Sequence, residues 1–346
     1  MQRLPMKPDP PVTRIALIDT ACQRLTRYTV RVWSAYGRQN HLDREALITM
    51  LESQWVSLSS SGLAAEVNPL GAQLSILRDR SGRDLLWDGD PSVWAGRAPL
   101  LFPIVGTLAG GCYRLGSKSY PLPRHGFARG KLFDIIDATS ASAVFRLKAD
   151  EASFQIYPFR FELEVHFALN GPTLSVTTHV RNAGGEDMPA SFGYHPGFRW
   201  PLPFGRARSS HFIEFANDEP AAIRRLDSNG LLSPERHPTP IAQRRLALED
   251  ALFQDDVIIF DEIRSRSVTY GADDGPRLRV SYPDAPYLGL WMKPQANFIC
   301  IEPWHGVADP ADFSGDFRAK PGVFTVTPGT VRPIRMEITL LGDANT

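Results

Sequence analysis

Three short segments place titratable side chains beside aromatic residues, glycine and proline, where a plain β core would have aliphatic residues. They are residues 124–129 (RHGFAR), 192–198 (FGYHPGF) and 300–306 (CIEPWHG). If the third segment is a strand, alternation puts Phe298, Cys300 and Glu302 on one face, so that a carboxylate lies among apolar side chains. Glutamate and histidine have ordinary pKa values of roughly 4.3 and 6.5 and can exchange protons near neutral pH. The segments are therefore candidates for acid–base chemistry.

Signatures of several other chemistries do not occur in the sequence. The glycine-rich stretch at residues 106–111 fits neither a dinucleotide-binding loop nor a P-loop, and there is no G-x-S-x-G or H-E-x-x-H motif. His125 and His195 lie on separate segments and no third ligand can be assigned, so we predict no metal site. Other histidines fit solvated faces or loops, namely His41, His166, His179, His211 and His237.

The elements that must position these residues read as antiparallel strands. Apolar and polar residues alternate over residues 161–169, and the alternation resumes after Asn170-Gly171-Pro172, which predicts a hairpin. Residues 334–340 alternate in the same way and should close a sheet. With 29 prolines, 27 glycines and one short helical candidate at residues 248–255, the chain favours an all-β fold, a large antiparallel β-sandwich.

Composition limits the kind of partner. Lys plus Arg equals Asp plus Glu at 38 each, which gives no excess field to attract nucleic acid or an anionic membrane. We expect a small, weakly charged partner and a monomer or homodimer. Three widely separated cysteines, the lack of a glycosylation sequon and the lack of an apolar run of roughly 20 residues favour a cytoplasmic protein.

The first 49 of the 346 residues differ from the rest. Residues 1–12 are rich in proline and charge, residues 15–51 carry a weak helical pattern, and short β segments begin near residue 55. We predict an N-terminal extension at residues 1–49, disordered or partly helical, and one β-sandwich domain at residues 50–346. A docked N-terminal helix and an upstream start wrongly read as coding are the alternatives.

The sequence resembles the aldose 1-epimerase (galactose mutarotase) family, and most closely its bacterial LacX-type branch. The resemblance runs from about Trp55 to the end of the chain. It rests on the three segments above and on residues 65–72 (AEVNPLGA), 101–106 (LFPIVG) and 116–120 (GSKSY), in the family's order. It implies a cofactor-free isomerase that interconverts the anomers of an aldose by opening and reclosing the sugar ring.

The resemblance also implies roles for individual residues. Glu302 would be the general base on the anomeric hydroxyl, His195 the general acid at the ring oxygen, and His125 a second histidine that stabilises charge there. The implied sugar contacts are Arg129, Asp256 or its neighbour Asp255, Trp291, Lys293 and Trp304.

The substrate stays open, because Gly106-Thr107 stands where better-known galactose mutarotases have an Asn-Arg pair. Arg97, Arg124 and Arg129 would suit a phosphorylated hexose, since guanidinium groups bind phosphate oxygens well. A carbohydrate-binding or sensing protein without turnover is an alternative. A glycoside-cleaving enzyme is another, and it would need a second carboxyl group within about 10 Å of Glu302.

Overall fold

Two large antiparallel sheets form most of the molecule in the computed structural model, which describes residues 55–342. The extension predicted at residues 1–49 lies outside the described residues. Strands are numbered in chain order. The larger sheet has nine strands in the spatial order β17 (Arg245–Ala247), β14 (Phe212–Phe215), β19 (Ser267–Gly271), β20 (Arg277–Ser281), β24 (Val331–Leu341), β10 (Thr173–Asn182), β9 (Phe161–Asn170), β8 (Ser142–Lys148) and β7 (Asp134–Ala138).

The second large sheet carries the segments with titratable residues. Seven of its strands follow the order β16 (Leu232–His237), β15 (Ile223–Leu226), β18 (Ile258–Phe260), β21 (Tyr287–Trp291), β22 (Phe298–His305), β12 (Phe192–Tyr194) and β4 (Leu100–Leu101). An eighth strand, β13 (Gly197–Arg199), also pairs with β22.

Smaller elements complete the described part of the chain. The small sheets are β1 (Val56–Ser59) with β2 (Leu63–Asn68) and β3 (Gln73–Asp79), β5 (Cys112–Leu115) with β6 (Lys118–Pro121), and β11 (Met188–Ala190) with β23 (Phe324–Val326). The helices are α1 (Glu151–Ile156) and the 3-10 turns Ala109–Gly111, Ala128–Gly130, Arg208–Ser210, Asp250–Phe253 and Phe317–Ala319.

The predicted antiparallel β-sandwich is confirmed. Strands β9 and β10 form the predicted hairpin, in which Leu169 pairs with Leu174, and β24 lies beside β10 in the same sheet. The helix predicted at residues 248–255 is only the short 3-10 turn. Within the described residues no helix is long and apolar enough to cross a membrane.

The core lies between the two large sheets, and one side chain ties them together. The buried hydroxyl of Tyr194 on β12 lies 2.9 Å from Thr178 Oγ1 on β10 and 2.9 Å from the carbonyl oxygen of Ile334 on β24. Hydrogen bonds of a buried group are costly to lose, because water cannot replace them. The position of His195, the next residue in the chain, is therefore set from the opposite sheet.

Candidate active site

A cavity of about 260 Å³ lies at the eight-stranded sheet. This is near the lower end of the roughly 300–1,000 Å³ typical of small-molecule sites. Its apolar wall is made of Val105, Leu226, Val257, Ile259 and Ala308. The rest of the wall brings together seven of the residues predicted from the sequence, namely His125, Arg129, His195, Asp256, Trp291, Glu302 and Trp304.

Glu302 reaches the cavity from the middle of β22, a strand that is buried along its whole length. Its neighbour across the sheet is Gly289 on β21. Glu302 is only 1% exposed, and its Oε2 has no hydrogen-bond partner among the described residues. A buried carboxylate without a partner is expensive in free energy, and such groups are concentrated at functional sites.

His195 lies in the link between β12 and β13, held there by Tyr194 on one side and Pro196 on the other. Its ring is tilted by 30° from that of Trp94, at a centroid distance of 5.1 Å, and meets Trp291 edge-on at 5.7 Å. Gly197 permits this approach, because a Cβ there would lie 2.9 Å from the Trp94 ring. The imidazole is thus fixed between two indoles.

The two groups meet in the cavity, where His195 Nε2 lies 3.1 Å from Glu302 Oε2. Burial lowers the pKa of His195 to about 3, and the positive charges of Arg124 and Arg129 act in the same direction. Burial raises the pKa of Glu302 well above its ordinary value, while the charge of Arg124 opposes this change. Both shifts disfavour charge on the separate groups, so they favour a protonated carboxyl beside a neutral imidazole.

His125 is held by reciprocal hydrogen bonds with Gly106. The N–H of Gly106 donates to His125 Nδ1 at 3.1 Å, and the N–H of His125 donates to the carbonyl oxygen of Gly106 at 2.9 Å. His125 has a left-handed backbone with a φ of 67°, which is uncommon for a residue with a side chain. Burial lowers its pKa well below the ordinary value, and His195, Arg124 and Arg129 contribute, so the ring is neutral.

Both ring nitrogens of His125 lie at a donor. Besides the N–H of Gly106 at Nδ1, Arg124 Nε donates to His125 Nε2 at 3.1 Å. A neutral imidazole has one acceptor nitrogen, so the two hydrogen bonds require different tautomers of the ring.

Trp304 follows Glu302 on the same face of β22 and is 5% exposed. Its ring occupies space left by glycines on both adjacent strands, since a Cβ at Gly289 would lie 2.4 Å from it and a Cβ at Gly193 2.7 Å. The indole N–H lies beside the Glu302 carboxylate and lowers its pKa, but it lacks hydrogen-bond geometry and has no other partner in residues 55–342. It is an unused donor at the cavity.

Besides Glu302, the cavity is lined by the acidic residue Asp256, which is half-buried and has a φ of 62°, whereas Asp255 faces a different surface cleft. Arg129 is exposed at the cavity mouth, where its Nη2 donates to the carbonyl oxygen of Arg124 at 2.8 Å. The structure does not bring Lys293 into the cavity, because its Nζ donates to the carbonyl oxygen of Val93 at 2.8 Å.

Two further placements differ from the sequence reasoning. Arg97 lies outside this cavity, where its guanidinium donates to the carbonyl oxygen of Ser75 and packs over Trp55. Trp94, which the sequence reasoning missed, lines the cavity and contacts His195. It lies in a stretch without strand periodicity, and no local signal separates it from a core tryptophan.

Cys300 lies beside the acid–base pair. The ligand atoms of His195, Cys300 and Glu302 are all within 4.8 Å of one another, a spacing that a metal ion could use. Metals bind the thiolate, however, and burial raises the pKa of the Cys300 thiol well above its ordinary value, with the nearby Glu302 adding to the shift. The donor set therefore fits proton transfer better than metal binding.

Comparison with known proteins gives a consistent result. The family model for aldose 1-epimerase matches residues 54–324. Protein LacX of Lactococcus lactis subsp. lactis, in its plasmid and chromosomal forms, is 33% identical over 296 residues, which cover 83% of this chain and 99% of that protein.

Solved structures agree with the sequence comparison. A galactose mutarotase related enzyme from Lactobacillus acidophilus is 29% identical with a TM-score of 0.78, and the match covers 84% of this chain and 99% of that chain. A galactose mutarotase-like protein from Lactobacillus casei ATCC 334 is 26% identical with a TM-score of 0.77, and the match covers 83% and 99%.

Proposed function

Because the chain belongs to the aldose 1-epimerase family, we propose that it is an isomerase that interconverts the α and β anomers of an aldose. The observation that carries this proposal is the 3.1 Å separation of His195 Nε2 and Glu302 Oε2 at the wall of a cavity of monosaccharide size. An acid and a base that share one proton are what ring opening requires.

The reaction needs two proton transfers and no net change in protonation. Glu302 takes the proton of the C1 hydroxyl while His195 donates a proton to the ring oxygen, the C1–O5 bond breaks, and an open-chain aldehyde forms. Rotation about the C1–C2 bond presents the other face of the aldehyde. O5 then attacks C1 and returns its proton to His195, while Glu302 gives a proton back to O1.

The remaining cavity residues support this chemistry in distinct ways. The guanidinium of Arg124, which lies beside His125 in the cavity lining, is placed to stabilise negative charge that develops on a sugar oxygen. Trp94 and Trp291 offer flat apolar surfaces for sugar C–H groups, and Trp304 offers its free N–H. Asp256 can accept hydrogen bonds from sugar hydroxyls.

One feature favours a phosphorylated hexose as an alternative substrate. Apart from the Glu302–His195 pair, the charged residues that line the cavity are Arg124, Arg129 and Asp256. With that pair neutral overall, the cavity carries an excess of one positive charge. A sugar phosphate or another anionic aldose would complement it.

Polarimetry of freshly dissolved α-glucose, α-galactose and their 6-phosphates tests the proposal directly. We expect the enzyme to speed mutarotation of at least one of them. Glu302→Gln should slow it by about 10²- to 10⁴-fold with sugar binding retained, because general acid–base catalysis contributes that much. Glu235→Gln, at an exposed position on β16, is the matched control and should leave the rate unchanged.

Two outcomes would contradict the proposal. Saturable sugar binding with no acceleration of any anomer exchange would make the protein a carbohydrate-binding or sensing protein. Release of reducing sugar from an aryl glycoside would instead indicate glycoside cleavage, for which Asp256 and Glu302 would be the two carboxyl groups.

A further inference from the structure

A second cluster of potential ligands lies on the nine-stranded sheet, on a different sheet from the cavity. Glu164 and His166 are two residues apart on β9 and project from the same face, while His179 on β10 is the direct cross-strand partner of Glu164. All three are half-buried on the face opposite Val165. The two imidazole rings have a centroid distance of 4.7 Å.

We propose that Glu164, His166 and His179 form a binding site for a divalent late first-row transition ion such as Zn²⁺. Their ligand atoms all lie within 4.8 Å of one another. Three ligands bound to one tetrahedral ion at about 2.0–2.2 Å lie about 3.4 Å apart, so small side-chain rotations complete the geometry. Two imidazoles and one carboxylate form a donor set that suits zinc, copper or nickel better than magnesium or calcium.

The carboxylate is already oriented for this role. Arg146 on β8 donates to Glu164 Oε1 at 2.6 Å, which holds the carboxylate by one oxygen. The other oxygen, Oε2, faces the rings and lies 3.1 Å from His166 Nε2. Residues that orient a metal ligand by a hydrogen bond, without binding the metal themselves, are typical of metal sites. The positive charge of Arg146 weakens the attraction for a cation, so we expect moderate affinity.

The continuous pairing of β9 and β10 holds the three ligands in position before a metal ion binds. The two strands pair in continuous register from Thr173 opposite Asn170 to Asn182 opposite Phe161. The three ligands therefore keep their spacing without a loop that must order first. Three protein ligands leave a fourth position open to water or to an external donor. The proposal is independent of the sugar chemistry in the cavity.

Titration of the full chain, prepared without a histidine tag, tests the site. We expect one equivalent of Zn²⁺ to bind by calorimetry, and one equivalent of Co²⁺ to give a visible absorption band typical of nitrogen and oxygen ligands. We expect Zn²⁺ binding to weaken at least about tenfold in each of the variants His166→Gln, His179→Gln and Glu164→Gln. Even the loss of a residue that only hydrogen-bonds a metal ligand usually has an effect of this size. His237→Gln, on β16, is the matched control and should leave binding unchanged.

Two results would overturn the proposal. One is unchanged Zn²⁺ affinity in all three variants, with circular dichroism showing that they are folded, which would make the cluster a hydrogen-bonded surface network. The other is loss of Zn²⁺ binding in His195→Gln rather than in the three variants, which would assign the ion to the cavity.

Discussion

His195 Nε2 lies 3.1 Å from Glu302 Oε2, and burial shifts the pKa values of the two groups in opposite directions. A proton carried by the pair can lie on Glu302, which leaves both groups neutral and is the form that the shifts favour, or on His195, which gives the ion pair. In one form Glu302 is the base and His195 the acid, and in the other the roles are exchanged. Ring opening and ring closure use the acid and base roles in opposite directions. The pair ends each cycle with the proton it began with and needs no external proton source.

The pH–rate profile should reflect this shared proton. The catalytic form binds a second proton only near the lowered pKa of His195, about 3, and loses its only proton near the raised pKa of Glu302, well above 4.5. Mutarotation measured as kcat/KM should therefore not fall as the pH decreases from 7 to 5.

The groups that face the pair are His125, Arg124, Arg129, Asp256 and Cys300. Burial lowers the pKa of His125 well below its ordinary value, so this histidine should not produce a step in the profile. Circular dichroism at each pH controls for unfolding. A fall in kcat/KM centred near pH 6.5 would show an ordinary exposed imidazole and would contradict the shared-proton description.

Gly106→Ala should damage catalysis by moving His125. A Cβ at Gly106 would lie 2.5 Å from the Cα of Ala308. The backbone at Gly106 also has a φ of 77°, at which a residue with a side chain would be strained. The shift would break the two hydrogen bonds to His125. A misplacement of about 1 Å can cost about 10²-fold in rate, and we expect a loss of that order in kcat.

Gly110→Ala is the matched control for this change, because Gly110 has a φ of 64° in the same loop but nothing within 4 Å of the added Cβ. It should lose about 1 kcal/mol of stability from backbone strain and keep its kcat. Equal losses of kcat in both variants would mean that the loop, rather than the contact with His125, matters.

The sequence predicted the parts of the fold and site that depend on local pattern. Alternation on both sides of Asn170-Gly171-Pro172 was enough for the β9–β10 hairpin, and alternation on β22 placed Glu302 with Cys300 and Phe298. Helix α1 was missed, although Asp150 caps it by accepting a hydrogen bond from the N–H of Ser153 at 2.6 Å. Six residues carry too little periodicity to be recognised.

Long-range contacts decided what the sequence could not. Lys293 was predicted as a sugar contact from the family resemblance, but it lies two residues beyond the end of β21 and donates to the carbonyl oxygen of Val93. The link between Gly106 and His125 spans 19 residues and depends on backbone atoms, which have no residue signature. The cluster of His166 and His179 requires the exact cross-strand register, which the hairpin turn alone does not determine.

Tyr194→Phe should destabilise the protein more than an ordinary hydroxyl deletion. The hydroxyl is buried and bridges the two sheets at Thr178 and Ile334, so its loss leaves buried polar atoms unsatisfied, at a cost of about 1–3 kcal/mol. Urea denaturation measures the change in the free energy of unfolding. In the control, Tyr113→Phe, the hydroxyl makes one hydrogen bond within the described residues, to the carbonyl oxygen of Ile156, and the cost should be about 1 kcal/mol. A smaller loss in Tyr194→Phe than in Tyr113→Phe would show that the bridge does not stabilise the sandwich.

Arg129→Met should distinguish between neutral and phosphorylated substrates. Arg129 lies at the cavity mouth, and its Met variant keeps much of the aliphatic bulk while removing the charge. If the substrate carries a phosphate, the KM for a hexose 6-phosphate should rise about tenfold, the effect of one lost charge-assisted hydrogen bond, and the KM for the unphosphorylated hexose should change less. Lys293→Met removes an equal charge from a side chain that lies outside the cavity, and it should leave both substrates unaffected. Parallel increases in KM in the two variants would indicate general electrostatic attraction rather than a phosphate contact, and no increase in Arg129→Met would favour a neutral aldose.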